Sequence, residues 1–146
     1  MKIINKKALH NYHILESFEA GVALYGSEVK SIRAGRIDLG QSFARVLNNE
    51  VFLINANIPP YQNAPIKDYN PVRSRKLLLH RSQITSLTGK LSRGRMVLVP
   101  VSLYEKNNLI KVQLGLGRSK KEVDKRKVIK ERDHKRRVEQ EIRGKE

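Results

Sequence analysis

Apolar and polar positions divide the chain near Gly117: before it Ile, Leu, Val, Phe and Tyr recur in short runs, and after it only Val123, Val128, Ile129, Val138 and Ile142 remain. The runs at 12–18 and 20–25 predict two strand pieces joined near Glu19. Runs at 42–47 and 51–56 flank Asn48-Asn49, and runs at 95–104 and 109–116 flank a turn over 105–108 that holds Asn107-Asn108. Asparagine tolerates the positive φ of tight turns, so each pair predicts a hairpin. Pro100 lacks the N–H a ladder needs and predicts an edge position or a bulge.

Two segments change period from two to one helical turn. Residues 27–34 carry Val29, Ile32 and Arg33 at that spacing, with Gly35 as the C-cap. Residues 81–91 carry Ile84, Leu87 and Leu91, with Ser82 as the N-cap. The stretch 59–75 holds Pro59, Pro60, Pro65 and Pro71 and predicts a long loop of the kind that carries function. Half a dozen short strands with two inserted helices predict a mainly β fold, a small antiparallel barrel of the OB type, over residues 1–117, followed by a tail over 118–146.

Charge adds a partner to this picture. The 146 residues include 30 Lys or Arg and 14 Asp or Glu, a formal charge of +16. A small domain ordinarily carries a net charge of about 2–8, so the excess points to a polyanion: nucleic acid first, an anionic membrane surface second. The tail alone holds 13 of the basic residues among its 29 positions. No apolar stretch approaches the roughly 18 residues a bilayer crossing needs. The basic start of the chain leads into polar residues rather than an apolar signal region, so the chain reads as soluble and cytoplasmic, without a membrane.

Candidate chemistry is sparse. The absence of cysteine excludes disulfides, thiolate metal sites and a cysteine nucleophile. Of His10, His13, His80 and His134 only the first two are closely spaced, and they fall where a loop passes into a strand, so no metal or cofactor is expected. Glu16 and Glu19, three apart on a strand, point to opposite faces. Gly115-Leu116-Gly117 and Gly89-Lys90 lack the remaining residues of nucleotide-binding loops. These patterns speak against an enzyme.

Basic clusters carry more. Asn5-Lys6-Lys7 precedes the first strand, Glu28, Lys30 and Arg33 decorate the first helix, and Arg73-Ser74-Arg75-Lys76 precedes Leu77-Leu78-Leu79. Such clusters suit phosphate contacts, because each cation that neutralises a phosphate releases counterions. Tyr12, Tyr25, Tyr61 and Tyr69 could stack on unpaired bases, yet aromatic residues are few. That favours recognition of a folded RNA's shape. The tail is rich in good helix formers, with Glu131–Lys135 and Asp133–Arg137 as favourable pairs, but lacks a broad apolar stripe. Disorder when free and helix on a polyanion are expected.

Several motifs together closely resemble the family of SsrA-binding protein, or small protein B. They are Asn5-Lys6-Lys7-Ala8, Ile14-Leu15-Glu16-Ser17-Phe18-Glu19-Ala20-Gly21, Gly26-Ser27-Glu28-Val29-Lys30-Ser31-Ile32-Arg33-Ala34-Gly35, Leu53-Ile54-Asn55-Ala56, Arg75-Lys76-Leu77-Leu78-Leu79-His80, Asp124-Lys125-Arg126 and Ile129-Lys130-Glu131-Arg132-Asp133. The resemblance implies an OB-like barrel with inserted helices and a flexible basic tail, without catalysis or cofactor. It implies binding to the tRNA-like domain of transfer-messenger RNA and delivery of that RNA to stalled bacterial ribosomes for trans-translation. The partners would be that RNA, the small-subunit decoding centre and mRNA channel, and elongation factor Tu through the charged RNA. The alternative class is an RNA-processing or RNA-modifying enzyme with an OB-type domain.

Glu28 falls at the family's RNA-binding acid, able to accept hydrogen bonds from the RNA or to orient Arg33. The candidate RNA contacts are Asn5, Lys6, Lys7, Glu28, Lys30, Arg33, Arg73, Arg75, Lys76, Lys120 and Lys121. The candidate ribosome-engaging residues are Asp124, Lys125, Arg126, Lys130, Arg132, His134, Arg136 and Arg137. Departures from the family pattern fall at Ser119, Glu122, Val123, His134 and Tyr69-Asn70. Removing the Glu28 carboxylate, or reversing Arg75 and Lys76, is expected to weaken RNA binding with the fold intact.

Overall fold

A computed structural model describes residues 1–62 and 67–120. Seven strands and three helices follow in the order β1 (Lys2–Ile4), α1 (Lys6–Asn11), β2 (Tyr12–Val22), α2 (Gly26–Arg33), β3 (Phe43–Leu47), β4 (Glu50–Ile54), β5 (Arg75–Leu78), α3 (Arg81–Ser92), β6 (Val97–Lys106) and β7 (Leu109–Ser119). Strands run β1-β6-β3-β4-β5-β2-β7 across the sheet, every pairing antiparallel, and β6 pairs again with β7. Six strands therefore close a ring, with β1 added outside it. The expected antiparallel barrel is what the chain forms, filled by Val51, Leu53, Leu77, Leu98, Leu103, Val112, Leu114 and Leu116.

Both hairpins form at the expected asparagines. Asn48 and Asn49 have φ of 51° and 61°, and Asn107 and Asn108 have 53° and 63°. Positive φ at both central residues gives the turn the hand that matches the strands' own twist. In the second hairpin Glu105 and Lys106 belong to β6, so the turn is the asparagine pair alone. Helix α3 buries Leu87 and half-buries Ile84 and Leu91 on the face their spacing set.

Other expectations need correction. The two strand pieces are one strand, β2, whose irregularity falls at Leu15, between Ile14 and Glu16, and not at Glu19. His10 lies in the last turn of a helix, α1, in place of the expected loop: Asn5 caps it, accepting from the Ala8 N–H at 3.2 Å. The N-cap of α3 is His80, whose N–H donates to Gln83 Oε1 at 3.1 Å, and Ser82 already lies inside the helix. Of the two positions expected for Pro100 it takes the bulge and not the edge: β6 has partners on both sides, and the ladder slips between Pro100 and Ser102 and so spares the missing N–H. Two strands, β1 and β5, were not anticipated: each is short and takes its place from its neighbours. No helix among the described residues is long and apolar enough to cross a membrane.

The strand β7 runs between β2 and β6 at close range. A Cβ on Gly117 would lie 2.5 Å from the His13 carbonyl oxygen, and one on Gly115 would lie 2.7 Å from Val101 Cγ2. Gly89, by contrast, sits within α3 with nothing near its missing side chain. Gly117→Ala should therefore destabilise the protein by about 1–3 kcal/mol through forced strand displacement. Gly89→Ala should stabilise it by up to about 1 kcal/mol through helix propensity. Urea unfolding of the two variants beside the parent checks both signs.

Candidate nucleic-acid interface

The most constrained polar residues lie between α2, β5 and the loop over 55–74. Glu28 is the third residue of α2, and its Oε1 accepts from the Tyr25 N–H at 2.8 Å, which ties off the helix start. The same carboxylate is buried at 1% exposure, so solvation cannot support its charge. Arg75 opens β5 opposite Leu53, on the side of the strand that faces the core, and is fully buried. Its Nε donates to Glu28 Oε2 at 2.7 Å. One terminal nitrogen donates to the carbonyls of Ala56 at 2.7 Å and Arg73 at 3.1 Å. The other donates to the Pro71 carbonyl at 3.0 Å and the Tyr69 hydroxyl at 3.1 Å. All five guanidinium N–H groups are thus used, three of them on the loop's own backbone.

Tyr69 and Arg73 complete the cluster. The single Tyr69 proton is shared between Glu28 Oε2 at 3.0 Å and the Ile58 carbonyl at 2.8 Å. Arg73 donates to both Glu28 oxygens, the Nε bond measuring 3.2 Å, and its guanidinium lies 4.0 Å from the centre of the Tyr25 ring. Burial by itself pushes the Glu28 carboxyl up, but hydrogen bonds from Arg73, the Tyr25 N–H and Arg75, with the Arg75 charge, outweigh it and hold the group below its ordinary value. Burial, then the neighbouring carboxylate, pushes the Tyr69 phenol up, so it stays a neutral donor.

This geometry corrects four expectations. Glu28 orients Arg73 and Arg75, not Arg33, which instead pairs with Glu105 at 2.6 Å on the surface. Arg75 has no surface with which to meet a phosphate; it braces the loop from beneath. Asn5 is likewise buried, its Nδ2 donating to Leu39 O at 3.1 Å and Pro100 O at 2.8 Å, so it fastens α1 to the barrel and presents nothing to a ligand. Tyr69 is committed to the same buried network and is not free to stack on a base.

What reaches the surface is a rim of cations and aromatics above the buried pair. Tyr25 is half exposed under Arg73, and the Lys30 Nζ lies 5.7 Å from the centre of the Tyr61 ring. Tyr25 caps the start of α2 and Lys30 lies in its last turn, and each pair presents a ring and a charge together. Lys6 and Lys7 are exposed on α1; Lys76 is exposed but engages Glu50 at 3.2 Å. The Lys120 Nζ donates to the Leu9 carbonyl at 3.0 Å. Lys121 and the tail candidates Asp124, Lys125, Arg126, Lys130, Arg132, His134, Arg136 and Arg137 lie outside the described residues. The Tyr25–Arg73 stack escaped sequence reading because the partners are far apart in the chain and no local pattern links them.

Comparison with known proteins bears on these features. A family model described as SmpB protein matches residues 2–144. The SsrA-binding protein of Alkaliphilus oremlandii is 49% identical over 142 residues, 97% of this chain and 92% of that relative. The SsrA-binding protein of Bacillus subtilis is 48% identical over 139 residues, 95% of this chain and 89% of that relative. A solved structure described as "tmRNA-SmpB: a journey to the center of the bacterial ribosome" contains a chain of TM-score 0.68 and 44% identity, covering 80% of this chain and 82% of that one.

The buried pair makes a stability prediction that reverses the expectation of an intact fold. Glu28→Ala leaves Arg75 charged and buried without its carboxylate, a change that costs about 3–5 kcal/mol. Because the folded Glu28 ionises below its ordinary value of 4.5, the pair's contribution is complete above that pH and is lost as pH falls through the lower folded value. Urea unfolding at neutral pH should show the full gap between parent and Glu28→Ala. At about pH 3 the gap should shrink. An unchanged gap would show that ionisation of Glu28 does not support the fold.

Proposed function

The chain belongs to the SmpB protein family, and on that premise we propose that it is a non-enzymatic RNA-binding adaptor of ribosome rescue. It binds the tRNA-like domain of transfer-messenger RNA and brings it to stalled bacterial ribosomes, where the RNA directs tagging of the incomplete peptide. The observation that carries this reading is the near-full-length match to SsrA-binding proteins together with the ring-and-cation pairs held over the Glu28–Arg75 anchor.

The anchor's role is positional. Glu28 and Arg75 fix the start of α2 and the described part of the loop around Tyr69 to Arg73, so that Tyr25 and Arg73 present a ring and a positive charge at a set spacing, with the Lys30–Tyr61 pair on the same helix. Rigid display suits a folded RNA, whose phosphates and exposed bases are themselves at fixed positions. Lys6, Lys7, Arg33, Lys76 and Lys120 widen the basic field around that contact. The tail over 118–146, with 13 of the 30 basic residues, engages the ribosome, its residues Asp124, Lys125, Arg126, Lys130, Arg132, His134, Arg136 and Arg137 following the RNA-lined decoding centre and mRNA channel. Elongation factor Tu joins through the charged RNA, and the work is done in the cytoplasm.

The direct test is to purify the protein from cells and sequence the RNA that accompanies it. One structured RNA with a tRNA-like end should dominate, and the purified protein alone should leave it uncut and unmodified. Affinity should fall with salt at a log–log slope of about −0.7 to −0.9 per phosphate neutralised. An affinity flat in salt would remove the electrostatic account. A protein ending at Lys120 keeps all of β7, so it should fold and hold the structured RNA within a few-fold of the parent. It should nevertheless fail to support peptide tagging on ribosomes stalled at a truncated message. Normal tagging by that protein would show that the tail is not the ribosome-sensing part.

A further inference from the structure

The ring is weakest where β3 meets β6. They share a single pair, Ala44 with Leu98, before β1 takes over the same edge of β6 through Ile4 and Ser102. A groove of about 500 Å³ opens along this seam, between β3, α1, the end of α3 and the start of β6. Phe43, Tyr12, Lys7, Arg45, Asn11 and Gln41 are among its lining residues, and no Asp or Glu is.

The composition of the groove is specific. Phe43 lies on a β-strand yet is 38% exposed and takes no part in the core, which its neighbours Ala44 and Val46 serve instead. An aromatic ring held in the open on a rigid strand is a stacking platform. Lys7 and Arg45 stand at the same opening, and among the described residues neither has a carboxylate within ion-pair distance. Asn11 and Gln41 are exposed amides, each able to donate and accept along a base edge. A groove of this size falls within the roughly 300–1,000 Å³ of small-molecule sites.

We propose that this groove receives an unpaired nucleobase of an RNA strand, stacked on Phe43 beside Tyr12, with the flanking phosphates on Lys7 and Arg45. The inference rests on the RNA-binding reading and adds to it a single-strand contact away from the α2 surface. Charge decides the occupant: among the described residues, two cations without a carboxylate partner and no acid in the lining favour a polyanion over an apolar protein segment, and the ring and amides favour a base over phosphate alone.

The sequence has no tryptophan, so Phe43→Trp places a single fluorophore in the groove. A single-stranded adenine-rich RNA of about 12 nucleotides should quench its emission on binding, and a blunt duplex of equal length should not. In the parent, Phe43→Leu should weaken binding of the single strand about tenfold, with its unfolding midpoint unchanged. Arg45→Gln should reduce the magnitude of the salt slope by about 0.7, the loss of one single-strand phosphate contact. The proposal is overturned if labelled single strand binds, by anisotropy, without quenching, if it does not bind, or if the duplex quenches equally. Emission already shielded and unresponsive to RNA would place another part of this chain in the groove and overturn it too. Affinity for the structured transfer-messenger RNA is measured separately. If that fails while quenching occurs, the functional reading falls and the groove stands; if it holds while quenching fails, the groove alone falls.

Discussion

A carboxylate and a guanidinium taken out of water must satisfy each other, and the region around α2 is organised by that demand between Glu28 and Arg75. Desolvating either ion alone costs several kcal/mol, and their attraction repays it only if the remaining lone pairs and protons also find partners. Here the partners are the backbone of the loop itself: the carbonyls of Ala56, Arg73 and Pro71, with the Tyr69 hydroxyl. The described parts of that loop are thereby tied to the buried pair. Its described ends are tied further by Ile58 N–H to Pro71 O at 3.0 Å and Ser31 Oγ to Pro59 O at 2.8 Å.

That internal demand has an external consequence. Arg73 spans the two regions, bonding the buried carboxylate on one side and lying on the exposed Tyr25 ring on the other. The Tyr25–Arg73 pair is thus held in place by a buried acid. The anchor and the interface cannot be separated by simple substitution, because removing the acid loosens the display and the fold together. This also sorts the basic residues by role. Arg75 is structural, Arg73 is shared, and Lys30, Lys6 and Lys7 face solvent.

Barrel closure sets the rest. Strand β7 is gripped between β2 and β6 so tightly that glycine is required at 117, where the His13 carbonyl occupies the place of a side chain. The opposite seam, β3 to β6, is nearly open because β1 occupies the edge beyond it. The groove on that side follows from one strand, β6, having three partners.

The sequence by itself determined the antiparallel hairpins, the helices α2 and α3 and the polyanionic partner class. Each rests on information within a few residues or in a sum: paired asparagines that tolerate positive φ, apolar side chains at one-turn spacing, and an excess of positive charge. Its motifs also carried the family resemblance. Tertiary structure alone decided α1, β1 and β5, whose short segments have too little local preference and exist because Pro100, Ser102 and Leu53 meet them from elsewhere in the chain. It also decided which basic residues are surface and which are core. Arg73 and Arg75 read alike in sequence, but the strand's alternation and the opposing Glu28 turn Arg75 inward. Whether a charge meets solvent or a buried counter-charge is a long-range fact, and no local pattern holds it.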